Sequence, residues 1–218
     1  MKGSGEMLEN LPWKDTVETE DQLRLIMGEP GELVRKKVIS YLDEHCKDFL
    51  SRSPFLVIAT TDESGNCDVS PRGDRPGFAL VLDDKHLVIP ERPGNRRIDT
   101  LKNILANPKA GLLFLIPGLG ETLRVNGKAS LVKDDILLER MAVNGKKPLI
   151  GIGIEVEECF IHCAKAMKRS GLWEPETWSE KDSLPNAARI LLDHTKITDI
   201  TENDLNQALQ EDYEKELY

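Results

Sequence analysis

The chain has 218 residues, enough for one sizeable hydrophobic core with appended helices. Its formal net charge of -9 argues against a general nucleic-acid binder, which depends on Lys and Arg to neutralise phosphates. Aromatic residues at 5% leave few platforms on which bases could stack. No apolar run is long enough to cross a bilayer, so no membrane partner is expected; residues 111–117 fall far short. The first six residues lack the apolar centre of a signal peptide. Cys46, Cys67, Cys159 and Cys163 form no dense disulfide spacing, and a cytoplasmic location is expected. Cys159-x-x-His162-Cys163 has no second ligand pair close by, because His45-Cys46 lies far off in sequence; no metal is expected.

In chain order, residues 1–18 carry Gly, Pro and charge and read as an irregular arm. A helix starts at Thr19 and stops at Gly28-Glu29-Pro30-Gly31. A second helix is predicted over about residues 32–46, with Val34, Val38, Tyr41 and Leu42 on one face. Strands follow at residues 55–61, 67–70, 78–82 and 86–90, the first two joined by the turn chemistry of Asp62-Glu63-Ser64-Gly65-Asn66. A helix over about 95–107 ends before Pro108. Strands then recur at 111–116 and 121–132, where Gly127 suggests a bulge. Asp134 starts a short helix, residues 150–161 alternate as a last strand, and helices occupy the tail from about 183 and from about 202. The acidic surface of the last helix reads as a solvated face.

One helix between the fourth and fifth strands is no βαβ repeat, so a doubly wound sheet is disfavoured. Alternating antiparallel strands suggest a small closed barrel, which hides its edges. The segment Arg92-Pro93-Gly94-Asn95-Arg96-Arg97-Ile98-Asp99-Thr100-Leu101 joins a strand to a helix. Arginines at a helix start are ordinarily solvated, yet they oppose the helix dipole there unless an anion accompanies them. Free N–H groups and guanidinium forks at such a corner suit a phosphate. Asp99 reads as a first-turn acid or as a partner of Arg96. Cys163 is expected to be a buried small hydrophobe, His162 structural and Trp178 a packing residue, while Trp173, which follows Arg169, reads equally as packing or as facing a ligand. No Ser/His/Asp or paired-carboxylate grouping suggests hydrolysis.

Three motifs in order resemble the pyridoxamine 5'-phosphate oxidase-like family of FMN-binding split barrels. They are Ser70-Pro71-Arg72-Gly73 leading to Leu87-Val88-Ile89-Pro90, the arginine-rich segment with Asn103 and Asn107-Pro108, and Gly120-Glu121-Thr122-Leu123-Arg124-Val125-Asn126-Gly127. The run from Cys159 to Ala166, with Arg169-Ser170-Gly171-Leu172-Trp173, is similar to an uncharacterised FMN-binding branch. The resemblance implies a mainly β fold with flanking helices, a six-stranded antiparallel split β-barrel. It implies an arm and helices over 1–52 packing on a barrel over 53–173, and a helical extension over 174–218. It further implies a homodimer holding FMN between subunits. By position, Arg96 and Arg97 would grip the FMN phosphate, with Ser70, Arg72 and Asn95 beside them. Val88, Ile89 and Pro90 would offer backbone groups along the ring. Glu121 and Thr122 would approach from a neighbouring strand, and Lys165, Arg169, Ser170 and Trp173 from the C-terminal side. The implied activity is an FMN-dependent oxidoreductase using a nicotinamide or small-molecule donor; a non-catalytic flavin, deazaflavin or haem binder is the alternative. Thr122 departs from the family's amide at that position, and the basic, histidine-containing end of the true oxidase is replaced by Trp173-Glu174-Pro175-Glu176-Thr177-Trp178. Pyridoxamine 5'-phosphate is therefore not the expected substrate.

Overall fold

A computed structural model describes residues 12, 13 and 15–218, so most of the expected arm over residues 1–18 lies outside the described residues. The chain divides into two compact units, Met1–Lys37 and Val38–Tyr218. In the first, helix α1 (Glu20–Met27) begins at Thr19, whose hydroxyl accepts the Gln22 N–H, and ends at Gly28 with φ +72. That left-handed value is one that glycine reaches without a Cβ penalty. Helix α2 spans Glu32–Lys36, and neither helix has a buried residue.

The second unit opens on a correction. The single helix expected over residues 32–46 is two helices, because Ile39 leaves helical geometry to exchange both backbone hydrogen bonds with Cys159, at 3.0 and 2.7 Å. The next helix, α3 (Glu44–Arg52), starts afresh where Asp43 accepts the Cys46 N–H at 2.8 Å. Its buried face of Cys46, Phe49 and Leu50 joins Leu42 in the core.

Seven strands, not six, form one antiparallel sheet: β1 (Phe55–Thr61), β2 (Cys67–Gly73), β3 (Leu80–Val81), β4 (His86–Pro90), β5 (Lys109–Leu115), β6 (Thr122–Val132) and β7 (Gly151–His162). Their order is β2-β1-β5-β6-β7-β4-β3. The expected strand over 78–82 shrinks to the two residues of β3. Helix α4 (Asp99–Ala106) lies between β4 and β5, and α5 (Asp135–Glu139) between β6 and β7. After β7 come α6 (Lys165–Ser170), α7 (Ala187–Thr195) and α8 (Glu202–Lys215).

The hydrogen-bond ladder does not close into the expected ring, since β2 and β3 are its two free edges. Side chains join the segments instead. Arg72 Nε lies 3.0 Å from Glu91, just past β4, and Arg92 Nε lies 2.7 Å from Asp74, just past β2. Arg92 also donates to the Met141 carbonyl at 2.8 Å and meets the Tyr218 ring, whose hydroxyl donates to Asp74 at 2.8 Å.

Within the sheet, Leu56, Ile58, Leu112, Phe114, Leu123, Val125, Leu87, Ile89, Ile152 and Ile154 fill the inner face and are buried. Removing any one fully buried aliphatic side chain forfeits about 1.5–3 kcal/mol of burial before any cavity cost. The expected bulge is present: β6–β7 register shifts at Asn126/Gly127, where a Cβ on Gly127 would sit 2.0 Å from the Glu155 carbonyl oxygen. On the outer face Val88 packs with Leu138 and Met141. Among the described residues no helix is long and apolar enough to cross a membrane.

Candidate functional site

The loop over residues 91–98 leaves β4 and runs beside β2 to reach α4. β2 fastens it at both ends. Arg72 pairs with Glu91 at one end. At the other, the buried Thr100 hydroxyl lies 2.5 Å from Asp68 Oδ2 and 3.2 Å from Ser70 Oγ, while Ser70 Oγ is 3.0 Å from Asp68. Asn103 and Asn107 donate to Thr60 and Thr61 at 3.1 and 2.8 Å, fixing α4 across the ends of β1 and β2. Sequence reasoning missed Asp68, Glu91 and Thr100, because nothing in a linear pattern says which strand a first-turn threonine will face.

Between its anchors the loop is strained. Arg96 and Ile98 have φ of 59 and 55. The left-handed region costs an L-residue roughly 1–2 kcal/mol, and for a β-branched side chain it is a genuine outlier. Ile98 is also the N-cap of α4 and supplies no side-chain acceptor, so the first N–H groups of that helix are uncapped. Asn95 Oδ1 accepts the Arg97 N–H at 3.1 Å. Arg97 Nε donates to Asp99 at 2.8 Å, with Lys102 3.7 Å away, and the Arg97 hydrogen bond holds the Asp99 carboxyl below the usual carboxylate range. Of the two readings expected for Asp99, the first-turn acid holds, and its arginine partner is Arg97 rather than Arg96. Arg96 is exposed and has no hydrogen bond or ion pair among the described residues.

A second group of expected residues gathers elsewhere. Thr122 opens β6 opposite His162, and the preceding loop touches α6 so closely that a Cβ on Gly120 would lie 2.7 Å from that of Ala164. Trp173 donates its indole N–H to the Leu119 carbonyl at 2.9 Å, which fastens the segment after α6 to the loop before β6. Glu121, Lys165, Arg169 and Ser170 belong to the same neighbourhood through that loop and helix; Ser170 donates to the Met167 carbonyl. Trp178 is 59% exposed, and Cys163 is exposed too, contrary to the expectation of packing and burial. Cys163 falls after β7 has ended, beyond the core-facing alternation.

Strand register shows that one chain does not bring the two groups around one ligand. Arg72 and Ser70 stand opposite Leu56 and Ile58, whose row continues through Phe114 and Leu112 to Leu123 and Val125, all on the inner face. Thr122 neighbours Leu123 and so belongs to the other face, since side chains alternate along a strand. Likewise Ile89 stands opposite Ile152 and Thr122 opposite His162, positions about 33 Å apart along β7 at roughly 3.3 Å per residue.

β4 also limits what its backbone can offer. Lys85 and Glu91 hydrogen-bond toward β7, and His86 toward Leu82. Alternation therefore turns Ile89 to β7 and Val88 to β3, leaving the Pro90 carbonyl on the unpaired side. Proline has no N–H to add.

A family model described as pyridoxamine 5'-phosphate oxidase matches residues 42–163, more than half of the chain. The chain belongs to the pyridoxamine 5'-phosphate oxidase family. No curated protein matches it. Among solved structures, it is similar to HupZ of Group A Streptococcus, at 22% identity over 55% of this chain and 92% of that one, TM-score 0.44. It is similar to a putative pyridoxamine 5'-phosphate oxidase from Lactobacillus delbrueckii, at 24% over 56% and 95%, TM-score 0.44. It is also similar to a FAD-binding protein from Mesorhizobium loti, at 17% over 58% and 99%, TM-score 0.37.

Proposed function

We propose that this protein is an FMN-binding flavoprotein of split-barrel type, a homodimer in which FMN serves an oxidoreductase reaction. The observation that carries the reading is the strained corner at residues 95–98. Two left-handed non-glycine residues, an uncapped helix start and a guanidinium without a partner meet at one place. Strain of this kind persists at functional positions, and a phosphate dianion is the kind of acceptor that donors left open at such a corner would take.

The residues fit the group. Arg96 and Arg97 would hold the phosphate and Asn95 shapes the turn that aims them; Ser70 is a weaker contributor, because its hydroxyl already donates to Asp68 at the foot of α4. Arg72 is a weaker contributor than its position in the motif implies, because Glu91 already offsets its charge. Of Val88, Ile89 and Pro90, the Pro90 carbonyl is the group free to meet a ring edge. Glu121, Thr122, Lys165, Arg169, Ser170 and Trp173 would come from a second copy, since register keeps them apart from the corner within one chain. In that arrangement Lys165 or Arg169 near the pyrimidine end favours the reduced anionic flavin by simple Coulomb attraction. Bound FMN supplies hydride or electron transfer between a nicotinamide or small organic donor and an acceptor, and the side chains orient and tune it.

A visible spectrum of the purified protein, with mass spectrometry of whatever denaturation releases, tests the reading. A flavin absorption pair and released FMN are expected. Protein that stays colourless when titrated with FMN refutes it. Stopped-flow mixing with NADH or NADPH then separates an oxidoreductase from a binder of flavin, deazaflavin or haem, a binder showing no reduction over minutes.

A further inference from the structure

None of the four cysteines has a part in the proposed flavin site, yet the fold brings two of them together. Cys46 lies in the first turn of α3 and Cys159 in β7, 113 positions apart in sequence. Their sulfur atoms are 3.4 Å apart, and both residues are buried. The approach is fixed from two directions. Ile39 exchanges backbone hydrogen bonds with Cys159 itself, and Asp43 caps α3 by accepting the N–H of Cys46. Cys67 and Cys163, by contrast, are exposed.

We propose that Cys46 and Cys159 are a reversible disulfide pair, oxidised by a peroxide and reopened by a dithiol, whose closure locks α3 onto β7. Bond formation requires the sulfurs to close by ~1.4 Å, to the usual S–S length of about 2.05 Å.

The steps balance. The Cys46 thiolate attacks one peroxide oxygen, the O–O bond breaks, and Cys46 becomes a sulfenic acid as water departs with a proton from solvent. The Cys159 sulfur then attacks the Cys46 sulfur, losing its own proton, and the sulfenic oxygen leaves as a second water. Two thiols have given up two electrons to hydrogen peroxide. A dithiol reverses the result by exchange through a mixed disulfide.

Geometry assigns Cys46 as the nucleophile. It lies at the positive end of a helix and is the less deeply buried of the two. The hydrogen bond from Cys159 holds the Cys46 thiol below its ordinary range against the opposing effects of burial and the Asp43 carboxylate. That same bond, with burial, pushes Cys159 up.

The test uses the reduced full chain. It is exposed to graded hydrogen peroxide while folded, then denatured, alkylated and peptide-mapped without reduction; oxidation of exposed Cys67 reports the effective dose. The expected result is one linkage joining the Cys46 and Cys159 peptides, removed by dithiothreitol, with a melting temperature higher for the linked form. Cys46→Ala or Cys159→Ala abolishes the linkage; where a variant fails to fold, the wild-type map decides alone. Complete alkylation of Cys46 and Cys159 at doses that oxidise Cys67 overturns the proposal. Irreversible sulfinic or sulfonic acid at Cys46, or linkage through Cys67 or Cys163 instead, overturns it equally.

Discussion

Arg92 and Arg96 stand four positions apart in one strand-to-helix connection and do opposite work. Arg92 is largely buried and engaged on three sides, by the Asp74 carboxylate, the Met141 carbonyl and the Tyr218 ring. Arg96 is exposed, holds a left-handed backbone and touches no partner among the described residues. The first arginine joins the two sides of an incomplete barrel, while the second has no partner among the described residues and is the one the proposed function gives to a ligand. A guanidinium held by a buried carboxylate and a carbonyl strengthens a fold, whereas one without a partner is available to strengthen a complex. Local sequence treats the two alike.

The sharpest way to break this contrast is Arg92→Ala. Asp74, with only 1% of its side chain exposed, would lose its ion pair while remaining buried. Breaking a buried pair from one side costs about 3–5 kcal/mol, and the surviving Tyr218 hydrogen bond places the effect at about 3. Urea unfolding followed by fluorescence would show the midpoint falling, with FMN affinity of the folded fraction retained. Unchanged stability would mean that the two sides of the barrel do not depend on this pair.

Next in size, Arg96→Ala combined with Arg97→Ala should leave unfolding almost unmoved. It should weaken FMN by about 2–5 kcal/mol, since each charged hydrogen-bonding partner contributes roughly 1.5–3. Isothermal titration reads this directly. A double variant that binds FMN as tightly as the parent removes the corner from the site.

Acid provides a third comparison. Burial pushes the Asp74 carboxyl up, but the Arg75 N–H, the Tyr218 hydroxyl and Arg92 together outweigh it, so Asp74 titrates below its ordinary value. A carboxyl with a depressed folded value stabilises the native state above the unfolded value of about 3.9. That stabilisation drains away as pH falls through the folded value, because the unfolded chain takes up its proton first. Stability of the parent should therefore decline below about pH 4, and Asp74→Asn should show a shallower decline over that range. Parallel curves for the two proteins would show that Asp74 is not among the groups driving acid unfolding.

Much of this fold was legible because strands alternate and turns have chemistry. Phe55 to Thr61 and the Asp62–Asn66 turn announced themselves through composition, and Gly127 marked the bulge that the Glu155 carbonyl enforces. Long-range pairing was what stayed hidden. The helical period of residues 32–46 was sound locally, yet a bridge from Ile39 to Cys159 broke it, and no window of sequence contains both residues. The site divides along the same line. Arg96 and Arg97 were legible as candidates from their place beside a helix start. That Arg72 is engaged by Glu91 and Arg92 by Asp74 follows from side-chain contacts between segments far apart in the chain, and that Thr122 lies on the face opposite Ser70 follows from register.

The smallest expected effect tests the strain itself. Ile98→Gly keeps the connection but removes the Cβ that makes φ 55 costly. Relief of roughly 1–2 kcal/mol is offset by the 0.5–1 kcal/mol or so of chain entropy that glycine adds to the unfolded state. Little burial is lost, because Ile98 is 51% exposed. The net is a gain of about 0.5–1 kcal/mol, a rise of roughly 1–4 °C for a domain of this size. FMN affinity should move the other way, because a looser loop must be ordered before Arg96 and Arg97 can act together. Calorimetry and titration on the same preparation separate the two readouts. A more stable variant with weaker FMN binding identifies the left-handed turn as preorganisation for the ligand, whereas a destabilised variant would make Ile98 an ordinary packing residue and deprive the corner of its stored strain.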